Sequence, residues 1–364
     1  MRRRAFRLKH PALDRVQGRV RGTSGASPGS SFPGRQVLGL VLGLSAAPAL
    51  SQTSDPDSRP SRVEVTRESS PLEEQSRALR VTPVSFDLAG ASSIDGQIDG
   101  PSGARMGSSS AYAQLAVMAP IGGHLGVRLA VDGATTFYRF SGDPFLAPSG
   151  GIPWDQVRSS SVGLQAMYVW ERKWALILAG NVAAAGDRGA PLGDSLSAGG
   201  TVGFTFTFPS RMLVGVLVTA QSRLTGGVFV LPFPLVDWVL PFDQGRWRLS
   251  AGGVRVGPGR AGGVSLQYAP WETLSFSAAL TFLGLGREFR MASTAPVPDG
   301  VGRDAAYPLI LGIEWHPVRP LTVSAYGGVS LFRAVTVLDR SGNILGERDV
   351  SPSPVVGGKM SLGF

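Results

Sequence analysis

Apolar residues alternate with small or polar residues along most of the chain after about residue 80. In residues 201–208, Val and Phe occupy one face of an extended segment while Thr and Gly occupy the other, and residues 162–170 and 309–315 repeat this pattern. A period of two predicts β-strands. The second face is too small and polar to form the second layer of a sandwich core. The pattern therefore predicts strands that meet lipid on one side and a water-containing lumen on the other.

Short and long connections alternate between these strands. The short turns lie near residues 121–124, 171–173, 209–211, 270–273 and 316–320, and the long segments rich in Gly, Pro and Asp lie near 92–108, 141–156, 187–195, 291–305 and 339–353. Short periplasmic turns and longer extracellular loops are typical of transmembrane barrels. We therefore predict an all-β fold, a transmembrane antiparallel up-and-down β-barrel.

The number of strands depends on residues 225–244. If the last strand descends to the periplasm, the turns counted from both ends agree only if a strand also descends here, although Pro232 and Pro234 each remove a ladder donor. We predict about fourteen strands; the alternative is twelve, with residues 225–244 in the mouth or the lumen. The predicted strands are 80–91, 109–120, 124–140, 157–170, 174–186, 196–208, 211–223, 227–239, 246–256, 262–270, 274–290, 306–316, 321–338 and 354–364.

The last strand carries a family resemblance. Residues 354–364 place Val356, Met360, Leu362 and the terminal Phe364 on one face. In this the chain resembles bacterial outer-membrane β-barrel proteins, whose last strand ends in Phe and is read by the barrel-assembly machinery. The resemblance implies a location in the bacterial cell outer membrane, with outer-membrane lipid and that machinery as partners.

A second resemblance concerns residues 231–238, 287–291 and 338–343. These stretches are similar to a group of uncharacterised bacterial barrel proteins. The group brings no catalytic or ligand residues, so it supports the architecture and not an activity.

Charge separates the N-terminus from the rest of the chain. Residues 1–51 hold nine basic residues and one acidic residue, which leaves the remainder nearly neutral although the whole chain carries +9. The apolar run 37–44 and the small residues 45–51 complete a signal peptide pattern. We predict a signal peptide region at 1–51, a flexible periplasmic lead-in at 52–79 and the transmembrane β-barrel at 80–364. No basic patch remains to indicate a nucleic-acid partner.

The sequence offers little catalytic chemistry. Beyond the predicted signal peptide the only histidines are His124 and His316, both in short turns, and the chain has no cysteine. No metal-ligand spacing or phosphate loop accompanies them. We predict no enzyme activity, no catalytic or metal site and no cofactor.

Two sets of residues are candidates for function. Alternation predicts that charged and amide side chains face the lumen, where they either tune solute selectivity or pair across the lumen and fill it. This set is Arg128, Asp132, Gln165, Arg246, Arg248, Glu314 and Lys359. Aromatic residues sorted to the short-turn end predict an interfacial girdle, namely Trp170, Trp174, Phe208, Trp271, Trp315 and Phe364.

Two functions are compatible with this reading. The first is a passive channel or a transporter of a small solute or hydrophobic compound. The alternative is a non-conducting structural or surface-interaction barrel that acts through its extracellular loops. Bilayer conductance distinguishes the two functions. The oligomeric state is not predicted.

Overall fold

The computed structural model describes residues 84–100, 103–144, 146–147, 149–171, 173–254, 261–282, 288–318 and 320–364. The predicted signal peptide region, the predicted lead-in and residues 80–83 of the predicted first strand lie outside the described residues. Within them, no helix is long and apolar enough to cross a membrane.

The described chain is built almost entirely of strands. Their bounds are β1 Val84–Gln97, β2 Arg105–Ile121, β3 Leu125–Ser141, β4 Gln156–Trp170, β5 Trp174–Asp187, β6 Leu196–Phe208, β7 Met212–Ser222, β8 Val228–Val239, β9 Trp247–Val254, β10 Ala261–Trp271, β11 Leu274–Phe282, β12 Glu288–Arg290, β13 Val301–Val318, β14 Leu321–Leu338, β15 Ile344–Val350 and β16 Ser353–Gly363. Single turns of 3₁₀-helix, Gly193–Ser195 and Asp243–Gly245, precede β6 and β9.

Fourteen of these strands close into a barrel wall. Strands β1 to β11 pair in sequence order, β11 pairs with β13, β13 with β14, β14 with β16, and β16 returns to β1. All these pairings are antiparallel, so the predicted fourteen-stranded barrel is confirmed. The twelve-stranded alternative is wrong, because β8 pairs with β7 along residues 228–238, through both of its prolines.

The alternating sequence places apolar side chains on the outside of the wall. On β13 the odd positions Leu309, Leu311 and Ile313 are exposed, whereas Ile310 between them is 1% exposed. In the closed ring each wall strand pairs with a neighbour on both edges, as a membrane interior requires. The outer surface is therefore suited to lipid.

Several predicted boundaries differ from the structure, among them the following three. The predicted strand 274–290 ends as a wall strand at Phe282, and its last residues form the separate strand β12. The predicted loop 339–353 contains β15, and the predicted loop 92–108 is shortened because β1 continues to Gln97. Alternation shows which side of a strand is apolar but not which strand it pairs with. For this reason the sequence predicts β12 as part of a wall strand.

Candidate functional site: the mouth and the inner wall

A short strand crosses the end of the barrel that carries the long connections, which we call the mouth. Strand β12 pairs antiparallel with residues 301–303 of β13 and, on its other edge, parallel with Gly186 of β5. In the pairing order β5 and β13 stand on opposite sides of the fourteen-stranded wall. The segment therefore bridges the mouth from wall to wall.

One side of β12 packs into an apolar core. Phe289 is 5% exposed and meets Trp154 edge to face at 4.9 Å between ring centroids. Gly302 lies directly under the Phe289 ring, where an added Cβ would collide with it. The buried members of this mouth core are Ile98, Ala104, Met106, Leu146, Ala147, Trp154, Val157, Phe289, Met291, Val297, Val335, Val337 and Val350.

The other side of β12 is polar. Arg290 is 5% exposed and donates to three backbone carbonyls, those of Asp194 at 3.0 Å, Asp299 at 2.8 Å and Leu224 at 2.9 Å. Glu288 accepts from Arg303 at 2.7 Å and from the Leu224 amide at 2.9 Å. These bonds tie the β5–β6, β7–β8 and β12–β13 connections to β12.

A second buried polar cluster lies beside the mouth core. Arg333 of β14 is 6% exposed and binds both carboxylate oxygens of Asp304 at 2.9 and 2.7 Å. It also donates to Ser93 at 3.0 Å and Ser108 at 3.1 Å, and Tyr138 donates to Asp304 at 3.0 Å. The arginine thereby joins β13 and β14 to β1 and β2, and its charge is fully paired as burial requires.

Below the mouth, the buried polar side chains on the inner wall of β5, β6, β10 and β11 are small hydroxyls and amides. Buried apolar residues lie on the inner wall of the same part of the barrel, namely Ala175, Leu213, Leu217 and Ala279. Asn181 Oδ1 and Thr207 Oγ1 point inward and have no protein hydrogen-bond partner. Buried polar atoms of this kind need water. The buried hydroxyl and amide side chains of this wall are Asn181, Thr201, Thr205, Thr207, Ser265, Ser275 and Thr281.

The predicted lumen-facing charges do not form a single site. Arg128 donates to Gln114 at 3.4 Å, and Asp132 accepts from Ser161. Gln165 is half-buried on β4 and pairs across the ladder with Arg128. The first three predicted residues are thus neighbours on β3 and β4.

The other predicted charges lie in pairs elsewhere. Arg248 contacts both carboxylate oxygens of Asp237, with its Nε 2.6 Å from Oδ1. Glu314 lies 3.1 Å from the His316 ring, and the Lys359 ammonium lies 3.5 Å from Asp87. Arg246 is not on a strand, because β9 begins one residue later, and its exposed guanidinium lies 3.8 Å from Asp243.

The predicted girdle residues lie at the ends of strands that meet short turns. Trp170 and Trp174 stack at 6.4 Å across the β4–β5 turn. Trp271, Trp315 and Phe364 are each more than half exposed, and Phe208 ends β6 beside Phe206 at 4.7 Å. The predicted set leaves out Phe204 and Phe206, which pack on Trp174 at 5.1 and 4.3 Å.

The mouth core, the Arg333 cluster and the bridge formed by β12 were not predicted from the sequence. One signal was present, since Leu146 and Trp154 are large apolar residues inside a segment predicted to be a loop. The Arg333 cluster joins residues more than 200 positions apart, and nothing local in the sequence marks such a contact.

Comparison with known proteins gives structural matches only. No protein-family model and no curated protein matches the chain. An outer-membrane channel from Pseudomonas putida F1 is 10% identical with a TM-score of 0.42, over 78% of this chain and 96% of that chain. The P. putida toluene transporter TodX is 10% identical with a TM-score of 0.43, over 79% and 92%. The Acinetobacter baumannii outer membrane protein Omp33 is 12% identical with a TM-score of 0.35, over 78% and 98%.

The barrel itself determines the location. Its wall is closed, its strands are antiparallel, and an apolar outer surface surrounds a polar inner wall. This is the architecture of proteins that span the bacterial outer membrane. The chain is therefore a bacterial outer-membrane β-barrel protein.

Proposed function

We propose that the barrel is a passive channel for small neutral or polar solutes, with a mouth that is closed in this conformation. The observation that carries the proposal is the set of neutral hydroxyl and amide side chains on the inner wall of β5, β6, β10 and β11. A barrel that served only as a scaffold would gain more stability from an apolar or fully paired interior. Inward polar atoms without protein partners, at Asn181 and Thr207, are instead suited to a hydrated path.

The lining also determines the solutes that such a path favours. The charged side chains that face inward next to this lining are paired, as in Asp237 with Arg248. Hydroxyl and amide groups exchange hydrogen bonds with a passing neutral solute at little cost. We therefore infer a preference for small neutral molecules and no catalytic step.

A second candidate is a non-conducting barrel that acts through its extracellular loops. The mouth core favours it, because Trp154, Met291 and Val337 are each at most 2% exposed. A mouth packed as tightly as a domain core does not open by small side-chain movements.

Conductance of the purified full-length protein in a planar bilayer tests the proposal. We expect infrequent steps from the wild type and a larger open fraction after Trp154→Ala, which removes the central ring of the mouth core. Ile152→Ala is the matched control, since Ile152 lies in the same connection and is 51% exposed. Silence from the wild type and from Trp154→Ala would contradict a channel and favour the second candidate.

The orientation is tested by labelling. The chain has no cysteine, so single cysteines at two exposed sites report without background. We expect an impermeant maleimide to label Ser293→Cys at the mouth in intact cells, and Glu171→Cys in the β4–β5 turn only after lysis. Labelling of Glu171→Cys alone in intact cells would reverse the orientation.

A further inference from the structure

The described part of the barrel wall has a weak line between β8 and β9. Among the described residues these strands share four ladder pairs, Val236–Val239 with Arg248–Ala251. Strands β11 and β13 share seven, and the remaining neighbours in the wall share more. Gly252, Gly253 and Val254 continue β9 and pair with β10, yet none of them pairs with β8. We call the line between residues 233–235 and 252–254 the seam.

Two prolines account for the lost ladder on the β8 side. Pro232 and Pro234 have no backbone N–H, and both lie at even positions, so their missing donors lie on one edge of the strand. At the end of β8 the Leu240 amide donates to Trp247 of β9, whereas the Val239 amide donates to Arg211 beside β7, so even positions direct their N–H toward β9. The edge without donors is therefore the edge that faces β9.

A glycine interrupts the ladder on the β9 side. Gly252 has φ +101, a conformation that L side chains rarely adopt, and an added Cβ would lie 2.7 Å from the Pro234 carbonyl oxygen. The strands thus remain in contact at the seam without ladder pairs between them. Neighbouring strands that touch without ladder hydrogen bonds separate more easily than paired strands.

An aromatic side chain covers the seam. Phe233 Cε1 lies 3.4 Å from where a Cβ of Gly262 would stand, although Gly262 belongs to β10 and not to the neighbouring strand β9. Phe282 of β11 reaches the same glycine at 3.7 Å. The Phe233 ring therefore extends past β9, and the glycine at 262 leaves room for it.

The seam contains no charge. Residues 233–235 and 252–254 are all apolar or glycine, and the nearest charged groups among the described residues of these two strands, Asp237 and Arg248, are paired with each other below the seam. The next residue of the chain, Arg255, lies outside the described residues. A charged or strongly polar molecule would lose its hydration there without a new partner. An apolar molecule has no hydrogen bonds to water to lose there, and its transfer into the lipid beyond the wall is favourable.

We propose that the seam is a lateral portal through which small neutral apolar molecules pass between the lumen and the membrane, with Phe233 as its cover. The proposal rests on the proposed function, since the molecule enters through the lumen. It adds a second class of permeant that leaves through the wall and not along the barrel axis.

Uptake of 1-N-phenylnaphthylamine, a neutral aromatic probe that fluoresces in lipid, tests the portal in intact cells. We expect Phe233→Ala to raise the uptake rate about tenfold, as the loss of one ring contact predicts. Phe229→Ala is the matched control, because this ring lies on the same strand beside Arg223 and outside the seam. Equal effects of the two substitutions would overturn the assignment of Phe233 as cover.

A reversible cross-link gives the second test. In Phe233→Cys with Gly262→Cys, a short bifunctional methanethiosulfonate reagent joins β8 to β10 across the seam. We expect uptake of the probe to fall after cross-linking and to recover with reductant. In the control pair Val236→Cys with Ala251→Cys, which are ladder partners below the seam, cross-linking leaves uptake unchanged.

Swelling of proteoliposomes in arabinose separates the two proposals. A protein that conducts arabinose but whose probe uptake responds to neither Phe233→Ala nor the cross-link has no portal, and the channel stands. A protein that passes neither arabinose nor the probe contradicts the channel and the portal together. Heat-modifiable gel migration establishes that each variant is folded.

Discussion

The two sides of β12 close the mouth by different means. On the Phe289 side, the ring packs with Trp154 in an apolar core that excludes water. On the Arg290 side, hydrogen bonds to three carbonyls and the Glu288–Arg303 pair connect separate loops. Water cannot replace the contacts that buried apolar groups lose on exposure. Hydrogen bonds, by contrast, can be exchanged for bonds to water at a small net cost. We therefore expect the polar side to open first, with the apolar side as its hinge.

Phe289→Ala tests the apolar side and has the largest expected effect. Loss of a buried ring costs about 3–5 kcal/mol, and the bridge has only a few ladder pairs to offset it. We expect hydrogen exchange of the amides in residues 288–302 to rise more than a hundredfold. Phe242→Ala, at a ring that is 54% exposed, is the control. Unchanged exchange after Phe289→Ala would show that the mouth core does not hold the bridge.

Arg290→Ala tests the polar side. The change leaves three carbonyls without this donor, which we expect to cost about 2–3 kcal/mol because water replaces part of what is lost. The open fraction in bilayer recordings is expected to rise more than it does after Phe289→Ala, although the stability loss is smaller. Arg340→Ala is the control, since that side chain is 67% exposed and 3.7 Å from Asp194. The reverse order of open fractions would mean that the apolar side is the gate.

Asp237→Asn tests a charge pair far from the mouth. Arg248 then loses the carboxylate that it contacts, and because both side chains are 17% exposed we expect a loss of about 1–2 kcal/mol. The reversal potential in a salt gradient is expected to shift toward anion selectivity. The double variant with Arg248→Gln removes both charges and should restore the wild-type potential. If the potential does not move in Asp237→Asn, this pair does not border the conducting path.

Asp339 gives the smallest expected effect. Its carboxylate accepts from the side chain of Asn343 at 2.7 Å and from the amides of Asn343 at 2.9 Å and Ser341 at 2.8 Å. The side-chain bond, followed by the backbone bonds, lowers the pKa of Asp339 below its ordinary value. A lowered pKa in the folded chain stabilises the β14–β15 turn above the unfolded pKa, near 4, and this contribution disappears as pH falls through the folded pKa.

The corresponding variant is Asp339→Ala. We expect exchange of the Ser341 and Asn343 amides to rise about twofold at neutral pH, with a smaller difference from wild type in acid. Amide exchange measured at pH 7 and pH 3 checks this. A difference that grows in acid would contradict the direction of the pKa shift.

The barrel wall was predictable because its signal is local. Period-two alternation in residues 201–208 or 309–315 reports on each strand separately, and the short turns link the strands in order. The descending strand β8 followed from counting turns, in spite of Pro232 and Pro234. In each case a few neighbouring residues contain the information.

The mouth was not predictable for the opposite reason. The predicted strand 274–290 joins the residues of β12 to those of β11. Glu288, Phe289 and Arg290 alternate between polar and apolar side chains, as residues of a wall strand do. Its partners, near Val301 and Gly186, are set by the curvature of the whole barrel. The sequence predicts that the inner wall is polar. It does not predict the pairing of Arg248 with Asp237, because that pairing depends on the register between β8 and β9.

The bridge also sets an order of assembly. In a flat sheet β5 and β13 would stand about 34 Å apart, seven strand spacings of about 4.8 Å, too far for a three-residue strand to pair with both. The Arg290–Gly186 pairing therefore forms only once the sheet has curled and β13 has come to face β5. Until then Phe289, Trp154 and the other rings and methyls of the mouth core remain in water. A barrel that has not yet closed thus exposes an apolar surface that becomes buried on closure. This surface distinguishes incompletely assembled chains from assembled ones.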